Sequence, residues 1–212
     1  MMKYKGIIFD LDGVICSTDR YHYQAWKQMA DSKNIYFDEK INNRLRGVSR
    51  MESLEIILEN YNGSLSTEEK EVLAQDKNNI YVELLKEMSP KDLSDEVKDT
   101  LDELQKKGYL LAIGSSSKNA KFILKQLGLN AYFDAISDGT NITNSKPDPE
   151  VFLKAADFLR LLPSECLVVE DAEAGIDAAL RGGFDSAGVG EASAYSKTTY
   201  PLESFEALRE FL

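Results

Sequence analysis

The sequence has little of what builds thiolate metal sites, disulfide frameworks or imidazole chemistry. Its 212 residues include two cysteines, one histidine and one tryptophan. Cys16 and Cys166 show no framework spacing, which excludes a disulfide scaffold and fits reduced thiols in a cytoplasm. Long apolar runs are also missing. No stretch of about 18 apolar residues occurs, so no membrane-spanning helix is expected. The start, MMKYKGIIFD, carries an apolar run of only three residues, too short for a secretory signal. Basic residues are scarce as well, with 25 Lys and Arg against 36 Asp and Glu for a net charge of -11. Phosphate backbones need clustered Lys and Arg, so nucleic acid is not an expected partner, and neither is an anionic membrane. The plain reading of the acidity is solubility. A monomer in the cytoplasm is expected.

Apolar residues make up 43% of the chain, enough for one good core and a small second domain. Five short apolar runs read as buried strands: Gly6–Phe9, Leu110–Gly114, Ala135–Ile136, Leu167–Val169 and Ala187–Val189. Helical patterns lie between the later ones. Val97, Leu101 and Leu104 precede Gly108, and Phe122, Ile123 and Leu127 precede Gly128. Val151, Phe152, Ala155 and Leu159 follow Pro149, and a last pattern runs from Ala174 to Gly182-Gly183. Such alternation implies an α/β fold with a doubly wound parallel sheet, a Rossmann-like core.

The interval from Ser17 to Pro90 differs. It holds no convincing strand and several helical segments, one opening on the capping-box pattern Ser66-Thr67-Glu68-Glu69. The expected organisation is an α/β core over 1–16 and 91–212 with an inserted all-helical cap domain over 17–90. Connections near Cys16–Asp19 and Ser89–Asp92 would then serve as hinges.

Ligands of open α/β sheets bind beyond the carboxyl ends of the strands. The polar residues that follow the apolar runs are therefore informative. Asp10 and Asp12 follow the first run, and Ser115, Ser116, Ser117, Lys118 and Asn119 follow the second. Lys146 stands before the helix at Glu150, and Glu170 and Asp171 follow the fourth run. Each signal alone has a bland reading. Asp-x-Asp is common, Glu170-Asp171 or Ser115–Ser117 could cap a helix, and Lys146 could be a solvated loop lysine. Their order after successive strands points to chemistry instead.

Four gathered carboxylates repel one another unless a cation sits among them. An oxygen-only donor set suits Mg²⁺, with Lys146 and the Ser115 hydroxyl holding a phosphate opposite. Asp10, last in its strand, is placed to attack phosphorus and form an aspartyl phosphate. Asp12 is placed to act as general acid and base, typically worth about 10²- to 10⁴-fold in rate. Cys16 lies near this pair and reads best as a small packed side chain.

FDLDGV, IGSSS, SKPDPEVF and VVEDAEAGI together resemble the four motifs of the haloacid dehalogenase superfamily of phosphoryl-transfer enzymes, over nearly the whole chain. YHYQAWK (Tyr21–Lys27), RGVSR (Arg46–Arg50) and SSSKN (Ser115–Asn119) resemble its β-phosphoglucomutase branch. That resemblance implies interconversion of β-D-glucose 1-phosphate and D-glucose 6-phosphate through β-glucose 1,6-bisphosphate. It implies Mg²⁺ on Asp10, the Asp12 carbonyl, Glu170 and Asp171, and Ser115 and Lys146 on the transferring phosphate. Arg50 would hold the distal phosphate. Gly47, Val48, Ser49, Ser117, Lys118 and Asn119 would contribute to binding at the distal phosphate or sugar. His22 would touch substrate or Asp12, Lys77 would face the site, and Trp26 would pack under the cap or edge the sugar pocket. Arg46 stands where the family has lysine, and Ser17 and Arg20 where acidic residues are familiar. Two alternatives stand beside the mutase: a sugar-phosphate phosphatase with water as acceptor, and a non-catalytic sugar-phosphate sensor.

Overall fold

The computed structural model describes residues 3–45 and 48–212. Arg46 and Gly47, singled out above, lie outside the described residues. In chain order the elements are β1 (Gly6–Phe9), α1 (Asp19–Ser32), α2 (Glu39–Asn43), α3 (Arg50–Leu58) and α4 (Thr67–Leu85). Then follow α5 (Asp95–Lys106), β2 (Leu110–Gly114), α6 (Ala120–Gln126), β3 (Ala135–Ser137) and α7 (Glu150–Leu159). The chain ends with β4 (Cys166–Glu170), α8 (Glu173–Arg181), β5 (Asp185–Gly188), β6 (Tyr200–Pro201) and α9 (Leu208–Phe211). Among the described residues no helix is long and apolar enough to cross a membrane.

The strands form one parallel sheet in the order β3-β2-β1-β4-β5-β6. β1 is central and every residue of GIIF is buried, which is why the run has no polar alternation. Successive side chains still serve opposite faces. Ile8 joins a core with Val151, Phe152 and Ala155 of α7 and with Ala178 and Ala179 of α8. Phe9 points the other way, onto Phe133 and Phe205. Helices and loops thus cover both faces, as a parallel sheet requires.

Two features depart from the sequence reading. β5 starts at Asp185, two residues before the apolar run, because Ser186 is buried and Asp185 accepts a hydrogen bond from the Tyr4 hydroxyl at 2.6 Å. β6 was not expected: it is a two-residue edge strand containing Pro201, a position where the missing N–H costs no ladder bond.

The chain divides into two compact units. One runs to Ser17 and resumes at Ser89, holding the sheet; the other spans Thr18–Met88. The second unit is helical, with a core of its own that includes Trp26, Met29, Leu54, Ile57 and Leu73. Its longest helix, α4, begins as the sequence suggests. Ser66 accepts from the Glu69 N–H while Glu69 accepts from the Ser66 N–H.

Candidate active site

Strand register decides which side chains meet. Phe9 pairs with Ile113 on one side and Val169 on the other. Asp10, the residues after Gly114, and Glu170 therefore leave the sheet at one level, where the strand order reverses direction. The Asp10 N–H donates to the Val169 carbonyl at 2.9 Å, so the ladder extends through the aspartate and fixes it. Asp10 is buried, at 8% exposure.

Asp12 sits in the tight turn that follows. The Gly13 N–H donates to the Cys16 carbonyl at 2.7 Å, and the Ile15 N–H to the Leu11 carbonyl at 3.0 Å. Gly13 has φ of 89°, and a Cβ there would lie 2.0 Å from Asp171 Oδ2. The turn needs glycine both for its backbone and for the carboxylate that presses on it.

Asp10, Glu170 and Asp171 offer carboxylate oxygens that all lie within 4.8 Å of one another. The Asp12 carboxylate is not part of that set. Lys146 Nζ donates to Asp10 Oδ1 and, at 2.5 Å, to Glu170 Oε1, and lies 4.7 Å from the centre of the Phe152 ring. The second oxygen of Glu170 accepts from the N–H groups of Asp171 at 2.9 Å and Ala172 at 3.0 Å.

The electrostatics follow from this crowding. Burial pushes the Glu170 carboxyl up, Lys146 pulls it down and Asp10 pushes again; the balance is upward. Asp171 is pushed up to about 8 by burial, then by Glu170 and Asp10. For the Lys146 ammonium, burial alone would lower the pKa, but Asp10 and Glu170 outweigh it and hold the group above its ordinary value. One ammonium against three carboxylates leaves an excess of negative charge when all are ionised. The raised Asp171 is the response of the protein alone, which keeps a proton there. A divalent cation answers the same excess. Three oxygen donors with no His or Cys fit a hard ion such as Mg²⁺.

The hydroxyl cluster after β2 is a compact loop. Ser115 Oγ accepts from the Ser117 N–H at 3.2 Å, and Ser117 Oγ accepts from the Asn119 N–H at 3.2 Å. Ser115 is buried, Ser117 and Asn119 half-buried and Lys118 exposed. Cys16 is a buried free thiol whose pKa is raised by burial and then by Asp12 and Asp10, which makes it a packed side chain rather than a nucleophile.

The candidate residues of the helical unit form their own cluster. Lys77 is 3% exposed, with Nζ 2.9 Å from His22 Nδ1, 4.8 Å from the Trp26 ring and 4.5 Å from the Tyr81 ring. His22 lies against Tyr81, ring centres 4.2 Å apart. Burial, then Lys77 and Arg50, hold the imidazole well below the usual histidine range, so it is neutral. Trp26 is a buried member of the unit's core. Arg50 opens α3 and donates to Asn78 Oδ1 at 2.8 Å. Ser49 is the N-cap of the same helix, its hydroxyl accepting from the Glu52 N–H, and half-buried Val48 precedes it.

Sequence reasoning passed over Gly175 in the first turn of α8. A Cβ there would lie 1.9 Å from Glu170 Oε1, so this glycine makes room for the carboxylate that takes Lys146. A glycine inside a helical pattern, at a propensity cost of about 1 kcal/mol, was the available signal.

Comparison with known proteins agrees with this geometry. Residues 4–183 match the haloacid dehalogenase-like hydrolase family. A β-phosphoglucomutase of Bacillus subtilis is 42% identical over 191 residues, 88% of this chain and 84% of that protein. A phosphorylated carbohydrates phosphatase of Thermotoga maritima is 30% identical over 184 residues, 85% of this chain and 82% of that protein. The crystal structure of a β-phosphoglucomutase from Clostridium difficile superposes with a TM-score of 0.87 at 40% identity, covering 97% of this chain and 93% of that one. With the acidic group at the strand switch point and a match over most of its length, the chain belongs to the haloacid dehalogenase-like hydrolase family.

Proposed function

We propose that the protein is a Mg²⁺-dependent phosphoryl-transfer enzyme that interconverts β-D-glucose 1-phosphate and D-glucose 6-phosphate. The observation that carries the reading is the Asp10 carboxylate: buried, fixed by the ladder, part of the acidic group and bonded to Lys146. Asp10, Glu170 and Asp171, with the Asp12 carbonyl, would hold Mg²⁺. When bound, the ion screens the charge of the phosphoryl oxygens as they pass between nucleophile and leaving group.

The remaining chemistry belongs to the chain. Lys146 and the Ser115 hydroxyl grip the phosphoryl group. An Asp10 oxygen forms a bond to phosphorus as the bond to the sugar oxygen breaks, and Asp12 gives that oxygen its proton. In the return step a sugar hydroxyl attacks the aspartyl phosphate, Asp12 takes the hydroxyl proton and Asp10 departs as carboxylate. Transfer to O6 of β-glucose 1-phosphate yields the 1,6-bisphosphate, which then surrenders its other phosphoryl group to Asp10 and leaves glucose 6-phosphate. Arg50 holds the phosphate that is not reacting; its planar fork suits either end of a bisphosphate. The 42% identity to a β-phosphoglucomutase supports this choice of substrate.

A second reading, a sugar-phosphate phosphatase with water as acceptor, draws on the 30% identity to a phosphorylated carbohydrates phosphatase. The products separate the two. With β-glucose 1-phosphate, Mg²⁺ and a trace of bisphosphate, the mutase gives glucose 6-phosphate, whereas dominant free phosphate would establish the phosphatase. Asp10→Asn should abolish either activity and leave the fold intact.

A further inference from the structure

The segment that carries Lys146 is held by side chains of α7 that have no part in the chemistry described so far. Glu150 opens that helix, where a carboxylate ordinarily serves the helix N-terminus. Here it reaches backward instead. Its Oε2 accepts from the backbone N–H groups of Thr143 at 3.0 Å and Asn144 at 2.8 Å, and from Asn144 Nδ2 at 3.3 Å. Its Oε1 accepts from Lys154 Nζ at 2.7 Å, one helical turn on. Lys154 donates in addition to the Asn141 carbonyl. The start of the helix is served by a different residue, since the Glu150 N–H donates to Asp148 Oδ1 at 2.9 Å.

Three backbone groups of one short stretch, the Asn141 carbonyl and the Thr143 and Asn144 N–H groups, thus hang on two side chains of one helix. That helix is itself fixed. Val151, Phe152, Ala155, Ala156 and Leu159 are buried in the core beneath the sheet. On the far side of Lys146, Arg181 Nη1 donates to the Pro147 carbonyl at 3.0 Å. Thr143 and Asn144 are exposed residues of a loop, so without Glu150 their N–H groups would turn to water and this end of the loop, next to Lys146, would be held only through Asn141 and Ile142. Glu150 stays ionised at any working pH, held at about 2 by Lys154 and then by the Asn144 and Thr143 N–H groups.

We infer that Glu150, buttressed by Lys154, is a positioning residue for phosphoryl transfer: it fixes the 141–146 segment on α7 so that the Lys146 ammonium meets Asp10 and the phosphate. This inference rests on the reading of Lys146 as the phosphate grip. Misplacement of such a group by about 1 Å can cost roughly 10² in rate.

The test is a double-mutant cycle on the full chain with Mg²⁺, using Glu150→Ala, Lys146→Ala and their combination. It is read as kcat/KM for β-glucose 1-phosphate and, in parallel, as Kd for inorganic phosphate by calorimetry. Glu150→Ala should lower kcat/KM by about 10- to 100-fold, chiefly in kcat. It should weaken phosphate, and do neither once Lys146 is gone. Glu150→Gln, which keeps the acceptor for the loop N–H groups but loses the charge, should recover part of the loss. It carries the test if the alanine variant fails to fold. Wild-type kcat/KM in both Glu150 variants, or an equal loss of phosphate affinity with and without Lys146, overturns the inference. Loss of thermal stability alone overturns it too, because the tie would then be merely structural. Should Lys146→Ala itself leave turnover and phosphate affinity intact, the failure lies in the reading of Lys146 and not in that of Glu150.

Discussion

Asp171→Asn probes the acidic group directly. In the folded chain, burial and then the charges of Glu170 and Asp10 push this carboxyl from 3.8 to about 8. Between those values the folded chain keeps a proton that the unfolded chain has released. Stability therefore falls as pH rises across the window and levels off above about pH 8. At pH 7 the cost of carrying the carboxyl is on the order of 4 kcal/mol, at about 1.4 kcal/mol per pH unit. Asparagine is neutral and nearly the same shape. Without metal, the variant should therefore outlast its parent at pH 8 and lose the advantage near pH 4. At about 2–4 °C per kcal/mol for a chain of this length, the gain in Tm is on the order of 10 °C. With Mg²⁺ the gap narrows, because a ligand of the folded state stabilises it and the variant lacks one donor. The same proton governs metal affinity: the ion must displace it, so affinity should rise about tenfold per pH unit up to about pH 8 and flatten beyond. Thermal unfolding with chelator and with Mg²⁺, together with calorimetric titration of the ion from pH 6 to 9, measures both. A metal-free Asn variant no more stable than its parent at pH 8, or a flat Mg²⁺ affinity between pH 6 and 8, would refute the idea of three carboxylates in mutual repulsion.

Other expectations are simpler. Gly175→Ala should be favoured by about 1 kcal/mol on helix propensity alone, yet its Cβ would displace the Glu170 oxygen that takes Lys146. We expect kcat/KM to drop about tenfold or more with helix content unchanged, by circular dichroism and steady-state assay. Lys77→Met removes a charge that depresses His22, so the imidazole pKa should rise toward 6.5 in an NMR titration; a further fall would contradict the sign. Arg50→Ala should reduce mutase flux by about 10- to 100-fold, the worth of a charge-assisted hydrogen bond, while hydrolysis of p-nitrophenyl phosphate changes little. Equal losses in the two assays would remove the distal-phosphate role.

What the sequence made legible follows from how local each signal is. The fully buried strands β1, β2 and β4 announce themselves as unbroken apolar runs, and parallel pairing then brings Asp10 beside Glu170 and Asp171. The start of β5 was hidden because its polar residues are satisfied from afar, Asp185 by Tyr4 and Ser186 by Thr199. β6 was hidden because two residues with a proline carry no period. In the site, Gly175 shows in the sequence only as a glycine inside a helical pattern, and the partners that define it and Glu150 are supplied by tertiary structure. The pairing of His22 with Lys77 spans two helices, so the histidine's neutrality could not be read from its own helix.

The threading of the sheet also sets an order of assembly. Ile7 comes to rest between Leu111 and Leu167, so neither neighbour of the central strand exists when that strand is made. At roughly 5–20 residues per second, β4 emerges from the ribosome about ten to thirty seconds later. Until β2 arrives GIIF offers two unpaired apolar edges, and until β4 arrives one, the kind of surface that invites aggregation and chaperones. Meanwhile the Thr18–Met88 helices carry a core whose members all lie within that span, so it is complete in sequence once Met88 is made and well before β4. Asp10 is thus made long before the acidic neighbours, Glu170 and Asp171, that it meets in the folded chain.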